Sequence, residues 1–309
     1  MGAQMRAAAI LGLGFSRKNL KPFQSEPGVE WLMGLPASGD QADVVLLFGG
    51  DGTVHRHLGQ LVRLKLPVLV VPAGSGNDLA CSLGLRRVRD SLRAWRSFAA
   101  GKGNVRQIDL GVLYSGETGE DPSAAPPRSQ PHPTYFSAVA GVGLDGEVSR
   151  RANNLPRWLR GNGGYVLSLA PTIFAFAALP MKVFTADDGS ATWALRSQRP
   201  TLLAAFANTP RYGGGMKIAP QAKIDDGLLD VCLVGGIDPF RLFCLIPTVY
   251  TGRHLSIKEV EYFKASRVRV ATQYPLDVYA DGEFVCRTPI EVAVEHAALK
   301  VITLPSDQT

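Results

Sequence analysis

Leu46-Leu47-Phe48-Gly49-Gly50-Asp51-Gly52-Thr53 is an apolar run that stops in glycines, one carboxylate and one hydroxyl. An uncharged run bounded by a turn reads as a strand buried on both faces. The turn holds more glycine than packing alone requires. Without a Cβ in the way, an anion's oxygens can approach the main chain, so N–H groups, a carboxylate and a hydroxyl delivered to one point suit a nucleotide phosphate and its metal. Taken alone, GGDG also fits an ordinary strand-to-helix turn.

A second turn of the same kind follows. Val68-Leu69-Val70-Val71 reads as another buried strand, and it runs into Pro72-Ala73-Gly74-Ser75-Gly76-Asn77-Asp78-Leu79-Ala80. Two successive parallel strands put both turns on the carboxyl edge of the sheet, where open α/β folds bind ligands. Around them, Arg6 to Gly12 and Asp43 to Phe48 read as strands and Val54 to Lys65 as a helix. Asn77 is placed to cap a short helix that Gly84 stops. Val88, Leu92, Trp95 and Ala99 recur at helical spacing before a strand over Val105 to Leu113. Alternation of this kind predicts a doubly wound α/β domain.

The pattern then changes. Ser115 to Pro133 is proline-rich and nearly without apolar side chains, so it reads as a hairpin tip or linker. Beyond it, short strand-like runs dominate: Tyr135 to Ala140, Leu202 to Ala207, Leu228 to Val234, Val268 to Ala271, Leu276 to Ala280, Ile290 to Val294 and Leu299 to Leu304. At 309 residues the chain is long for one core. The expected organisation is an α/β domain over 1–130 and a mainly β domain, a sandwich, over 131–309, with the last strand returning to the first domain. Tyr165 to Met181 is apolar but shorter than a bilayer span and holds Pro171 and Pro180, so it reads as a core helix with a face near a lipid-binding cleft.

A formal net charge of +6 favours anionic partners, nucleotides or a membrane surface, and calls for no nucleic acid. Cys81, Cys232, Cys244 and Cys286 show no metal-binding spacing and read as reduced core thiols of a cytoplasmic protein. The start of the chain reads as a strand, with no export signal. Arg86, Arg87, Arg89, Arg93 and Arg96, like Arg150, Arg151, Arg157 and Arg160, read chiefly as solvated helix faces, with a role at membrane headgroups as the alternative. His132, His254 and His296 have no ligand spacing.

The second half carries a dense motif of its own. Ala207-Asn208-Thr209-Pro210-Arg211-Tyr212-Gly213-Gly214-Gly215-Met216-Lys217-Ile218-Ala219-Pro220 leads into Ala222-Lys223-Ile224-Asp225-Asp226-Gly227-Leu228-Leu229-Asp230-Val231. Further on, Asp281-Gly282-Glu283 sets two carboxylates about a glycine. With GVGLDGEV at Gly141 to Val148, these motifs resemble the bacterial lipid kinases of the diacylglycerol kinase catalytic-domain superfamily, which includes sphingosine and ceramide kinases. They occur in the family's order and span nearly the whole chain.

The resemblance implies an α/β nucleotide domain similar to those of phosphofructokinases and NAD kinases, a β-rich lipid domain, and an active site in the cleft between them. It implies that Gly49, Gly50, Gly52 and Thr53 cradle the ATP phosphates, with Gly74, Ser75, Gly76 and Asn77 contributing from the second turn. Asp51, Asp78 and Asp109 would hold catalytic Mg²⁺, largely through water. Glu283 matches the general-base position, supported by Asp281. The Lys223 and Leu228 carbonyls with the Asp226 carboxylate match a structural divalent site, Mg²⁺ or Ca²⁺. The implied partners are ATP and a lipid hydroxyl presented at a membrane surface to a peripherally associated enzyme. Edge strands of the β domain offer a route to a homodimer.

The chain departs from the family in two places. His55-Arg56-His57 stands where relatives carry Asn-Glu, which changes the field at the helix start. Leu13-Gly14-Phe15-Ser16-Arg17-Lys18 replaces the usual first turn, leaving open whether Arg17 or Lys18 supplies a positive charge to the phosphates. The expected function is ATP- and Mg²⁺-dependent phosphorylation of a diacylglycerol-like lipid. The alternatives are NAD kinase, which shares GGDG but has no need of YGGGMKIAP, and a non-catalytic lipid- or nucleotide-binding module.

Overall fold

Alanine-, valine- and leucine-rich runs with no polar face can be satisfied only in the middle of a sheet covered on both sides. In the computed structural model, which describes residues 4–74, 76–116, 133–154 and 164–305, such runs form β1 (Met5–Leu11), β3 (Val44–Gly49) and β4 (Val68–Pro72), with β2 (Val29–Met33) outside β1. The order β2-β1-β3-β4 is parallel throughout. Every residue of β3 and β4 is buried. Four helices accompany these strands: α1 (Arg17–Leu20), α2 (Asp51–Leu64), α3 (Asp78–Ser82) and α4 (Val88–Ala99). α2 buries Val54, Leu58 and Leu61. α4 buries Trp95, whose Nε1–H donates to the Phe23 carbonyl at 2.9 Å, so its one polar atom is satisfied. The arginines of the 86–96 stretch are all exposed, as a solvated helix face requires.

The chain divides into two compact units, Met1–Ile108 with Ala297–Thr309, and Asp109–His296. The sequence reading drew its boundary at 130/131. β5 (Val105–Ser115) runs through the observed division, and β15 (Ile290–Ile302) begins in the second unit and ends in the first, where Val301 pairs in parallel with Val68. The two strands expected over 290–294 and 299–304 are therefore one, with Ala297 at φ +51° taking up the irregularity.

The second unit is antiparallel. Its strands are β6 (Thr134–Phe136), β7 (Val139–Gly143), β8 (Leu179–Ala186), β9 (Ala194–Ala207), β10 (Leu229–Gly235), β11 (Val260–Ala265), β12 (Arg267–Thr272), β13 (Asp277–Ala280), β14 (Glu283–Arg287) and the start of β15. They run β14-β13-β7-β9-β8-β12-β15, with β10 and β11 continuing from β9 and β6 on β5. Period-two alternation assigns side chains to two cores. Ala204, Phe206, Val231 and Leu233 face a core shared with Val268 and Val292. Leu203, Ala205, Cys232 and Val234 face the opposite side, onto α5 (Leu144–Asn154) and α6 (Gly164–Ala175).

α6 is shorter than the helix expected over 165–181: it keeps Pro171 inside it but ends at Ala175, and Leu179-Pro180 opens β8 instead. A further helix, α7 (Pro239–Thr251), lies in a stretch that the sequence reading left unassigned. Among the described residues no helix is long and apolar enough to cross a membrane. Cys81 and Cys244 are exposed rather than core thiols, whereas Cys232 is buried and its thiol is pushed up to about 12. Arg157, Arg160 and most of the 115–133 segment lie outside the described residues.

Candidate active site

The turns after β1, β3 and β4 are stitched together at one edge of the first unit. The Gly12 N–H donates to the Phe48 carbonyl at 2.7 Å, and the Ala73 N–H donates to that of Gly49 at 3.2 Å. The turns approach so closely that side chains are excluded. A Cβ on Gly50 would stand 2.8 Å from the Gly74 Cα, one on Gly76 2.7 Å from Asp51 Oδ2, and one on Gly49 2.5 Å from the Thr53 Cβ. The two expected phosphate turns are thus one structure, with the Asp78 N–H donating to Asp51 Oδ1 at 2.8 Å. Ser75 lies outside the described residues.

Asn77 does not cap α3 as expected. At φ +54° its Oδ1 accepts from the Ala73 and Gly74 N–H groups, while its Nδ2 donates to the Gly74 carbonyl at 2.6 Å, so it closes its own loop. The cap position of α2 is Gly50, which has no side chain. A helix start beside glycines, with Asp51 in its first turn and Asp78 adjoining, fits a nucleotide phosphate and a divalent ion. Gly52, Thr53, His55 and His57 are partly exposed there and Arg56 is exposed. Arg17 and Lys18 are exposed on α1, which Ser16 and Asn19 cap reciprocally.

In the second unit Asp281 and Gly282 form a two-residue turn between β13 and β14, at φ +50° and +84°. The Asp281 carboxylate folds back on the chain before β7. Its Oδ2 accepts from the Ser137 N–H at 2.8 Å and the Ser137 hydroxyl at 3.2 Å, and its Oδ1 accepts from the Ala138 N–H at 2.8 Å. Glu283, first residue of β14, has an exposed side chain. The turn is therefore anchored while the carboxylate beyond it is open to reagents.

Asp109 falls in the second unit and is fully buried. Its Oδ2 accepts from the Gly227 N–H at 2.7 Å, and its Oδ1 lies 2.8 Å from His296 Nδ1. The buried Asn208 amide bridges the carbonyls of Asp109 and Ser137 at 2.9 and 3.1 Å. The expected structural ion fares less well. Asp226 Oδ2 is 2.6 Å from the Lys264 ammonium and its Oδ1 accepts the Leu228 N–H at 3.2 Å, while Lys264 also lies 3.4 Å from the buried Asp230. Burial lowers the lysine's pKa, but the bond to Asp226 and the charge of Asp230 outweigh it and the net shift is upward. Lys264 thus competes with an ion for the Asp226 carboxylate, and among the described residues no three His, Cys, Asp or Glu side chains gather for a metal.

The largest feature missed in the sequence is an apolar pocket of the second unit. Its walls come from α5 through Leu144 and Val148, from β9 through Leu203, from the glycine-rich motif through Met216 and Ile218, and from α7 through Ile246. The signal lay in plain view: Leu242, Leu245, Ile246 and Val249 recur at helical spacing, and all four line it. The YGGGMKIAP motif works at its wall, with Gly214 and Gly215 at φ +87° and +99° turning the chain so that Tyr212 and Met216 pair across it.

His254 also lines this pocket; it is buried, and its Nε2 lies 3.1 Å from the Ile218 carbonyl. Burial lowers its pKa from 6.5. The unfolded chain then takes up a proton first, so this stability is full above about pH 6.5 and is lost as pH falls through the lower folded value. Between pH 7 and 5 the thermal midpoint of wild type is expected to drop more than that of His254→Gln. Parallel curves would contradict this.

Residues 28–113 match the diacylglycerol kinase catalytic domain, and residues 138–303 match the YegS C-terminal NAD kinase beta sandwich-like domain. The chain is 32% identical over 260 residues to a diacylglycerol kinase of Mycobacterium tuberculosis, covering 84% of this chain and 76% of that one. It is 26% identical over 247 residues to the diacylglycerol kinase of Bacillus subtilis, covering 78% and 71%. A solved structure described as a diacylglycerol kinase from Bacillus anthracis superposes with a TM-score of 0.63 at 17% identity, covering 99% of each chain. An NAD kinase from Archaeoglobus fulgidus in complex with ATP reaches 0.50 at 16% identity, covering 98% and 95%, a likeness of fold alone.

Proposed function

The chain belongs to the lipid kinases of the diacylglycerol kinase catalytic-domain family, and we propose that its acceptor is a diacylglycerol-like lipid whose acyl chain enters the apolar pocket of the second unit. It is an ATP-dependent lipid kinase. The observation that carries the choice of acceptor is that pocket, walled in part by the glycine-rich motif of residues 212–220. A dinucleotide acceptor is polar at both ends and gains nothing from such a wall.

In this reading the main chain of Gly49, Gly50, Gly52 and Thr53 holds the ATP phosphates, and Gly74 to Asn77 completes the cradle. Asp51 and Asp78 would hold the divalent ion, Mg²⁺ by preference, which neutralises charge on the phosphates. Asp109, with its oxygens taken by Gly227 and His296, keeps the Asp225-Asp226-Gly227 loop in place. Glu283 takes the proton of the acceptor hydroxyl as that oxygen bonds to the γ-phosphorus, the bridging P–O bond breaks, and ADP leaves. Asp281 is a positioning residue, fixing the turn from which Glu283 projects. A bilayer is the source of such an acceptor, so the enzyme works at a membrane surface.

The test is transfer of label from γ-labelled ATP to a panel of long-chain lipids and NAD. Label on a glycerolipid is expected, with Ile246→Trp lowering kcat/KM for that lipid by about tenfold or more and leaving KM for ATP unchanged. Label on NAD alone would overturn the reading.

A further inference from the structure

The outward face of α7 is as apolar as its inward one. Leu242, Leu245, Ile246 and Val249 take the inner stripe along the pocket. Phe240, Phe243, Cys244, Pro247 and Tyr250 are all exposed, and their spacing places them on one opposite stripe. Phe240 is 69% exposed and Phe243 44%, and no residue of the helix is buried. Phe174, at the end of α6, is 57% exposed and lies 6.0 Å from Phe243, so the patch extends over both helices. Two apolar stripes on one helix need a low-polarity neighbour on each side.

We infer that this face of α6 and α7 seats in a lipid bilayer, so that the helix walling the acyl pocket is also the one immersed in the source of acyl chains. The inference rests on the lipid-acceptor reading for its biological sense and on the exposed stripe for its physics. Continuity decides the occupant. The same helix is pocket wall on one side and bare on the other, so an acyl chain moves from bilayer to pocket around α7 without crossing water. Arg253 follows the helix exposed, while Arg241 and Lys258 both lie against Glu259. Tyr250, amphipathic, sits at the helix's far end as interfacial aromatics do. The arrangement is that of a helix lying in the interface with its phenylalanines below the headgroups.

The experiment is flotation of the purified full chain with vesicles of phosphatidylcholine and phosphatidylglycerol, for wild type and Phe240→Ser/Phe243→Ser. Both positions are exposed, so an unchanged thermal midpoint is expected. Wild type is expected to float with the vesicles, and the double variant to partition on the order of tenfold less or weaker still. Phosphorylation of water-dispersed dioctanoylglycerol is expected to survive while that of long-chain diacylglycerol in vesicles falls. Wild type that stays with the soluble fraction, or a double variant that floats like wild type, would overturn the inference. Flotation lost in the variant with no lipid phosphorylated by either form would leave the docking surface standing and sink the acceptor reading instead.

Discussion

Glu283→Gln is expected to lower lipid phosphorylation by about 10² to 10⁴-fold, the range for removing a positioned general base. That is about 3 to 5 kcal/mol of barrier. Because the side chain is exposed at the start of β14, the thermal midpoint should not move. Asp281 gives the contrast. Its carboxylate takes the N–H groups of Ser137 and Ala138, so Asp281→Ala leaves those donors without it and is expected to cost about 1 to 3 kcal/mol of stability as well as activity. Denaturation curves beside initial rates separate the two. Full activity in Glu283→Gln would remove it from the mechanism.

Gly50→Ala is the second large effect. A methyl there would stand 2.8 Å from the Gly74 Cα and 3.2 Å from its nitrogen, and both are main chain that cannot rotate away. The two turns must part, and with them Asp51 and the Asp78 N–H that now meet at 2.8 Å. Displacement of a positioning element by about an ångström costs on the order of 10²-fold in rate. The expected readout is a raised KM for ATP and a reduced kcat, with flotation on vesicles unchanged. Unchanged ATP kinetics would mean that the turns are spaced for packing rather than for phosphate.

The parallel sheet of the first unit was legible because β3 and β4 are uninterrupted apolar runs, and a run with no polar face has few places to go. The glycine edge of that sheet was legible for a related reason: glycine at 49, 50, 74 and 76 marks backbone that must be approached closely, and the structure puts Gly50 against Gly74 and Gly76 against Asp51. Period-two strands of the second unit were visible too, but not their partners, since β9 serves β8 with one half and β7 and β10 with the other.

What the sequence determined by itself, then, was local: buried strands, glycine turns, and carboxylates tied to both. Tertiary structure alone decided which polar groups satisfy one another. Asp281 sits in a two-residue hairpin turn, yet its carboxylate takes the N–H groups of Ser137 and Ala138, 144 and 143 residues away in the chain. Asp226 has a metal ligand's chemistry, yet Lys264, 38 residues away in the chain, reaches it first. The helical spacing of Leu242, Leu245, Ile246 and Val249 in α7 is local and readable, but only the packing shows that this stripe meets the pocket while Phe240 and Phe243 stay exposed.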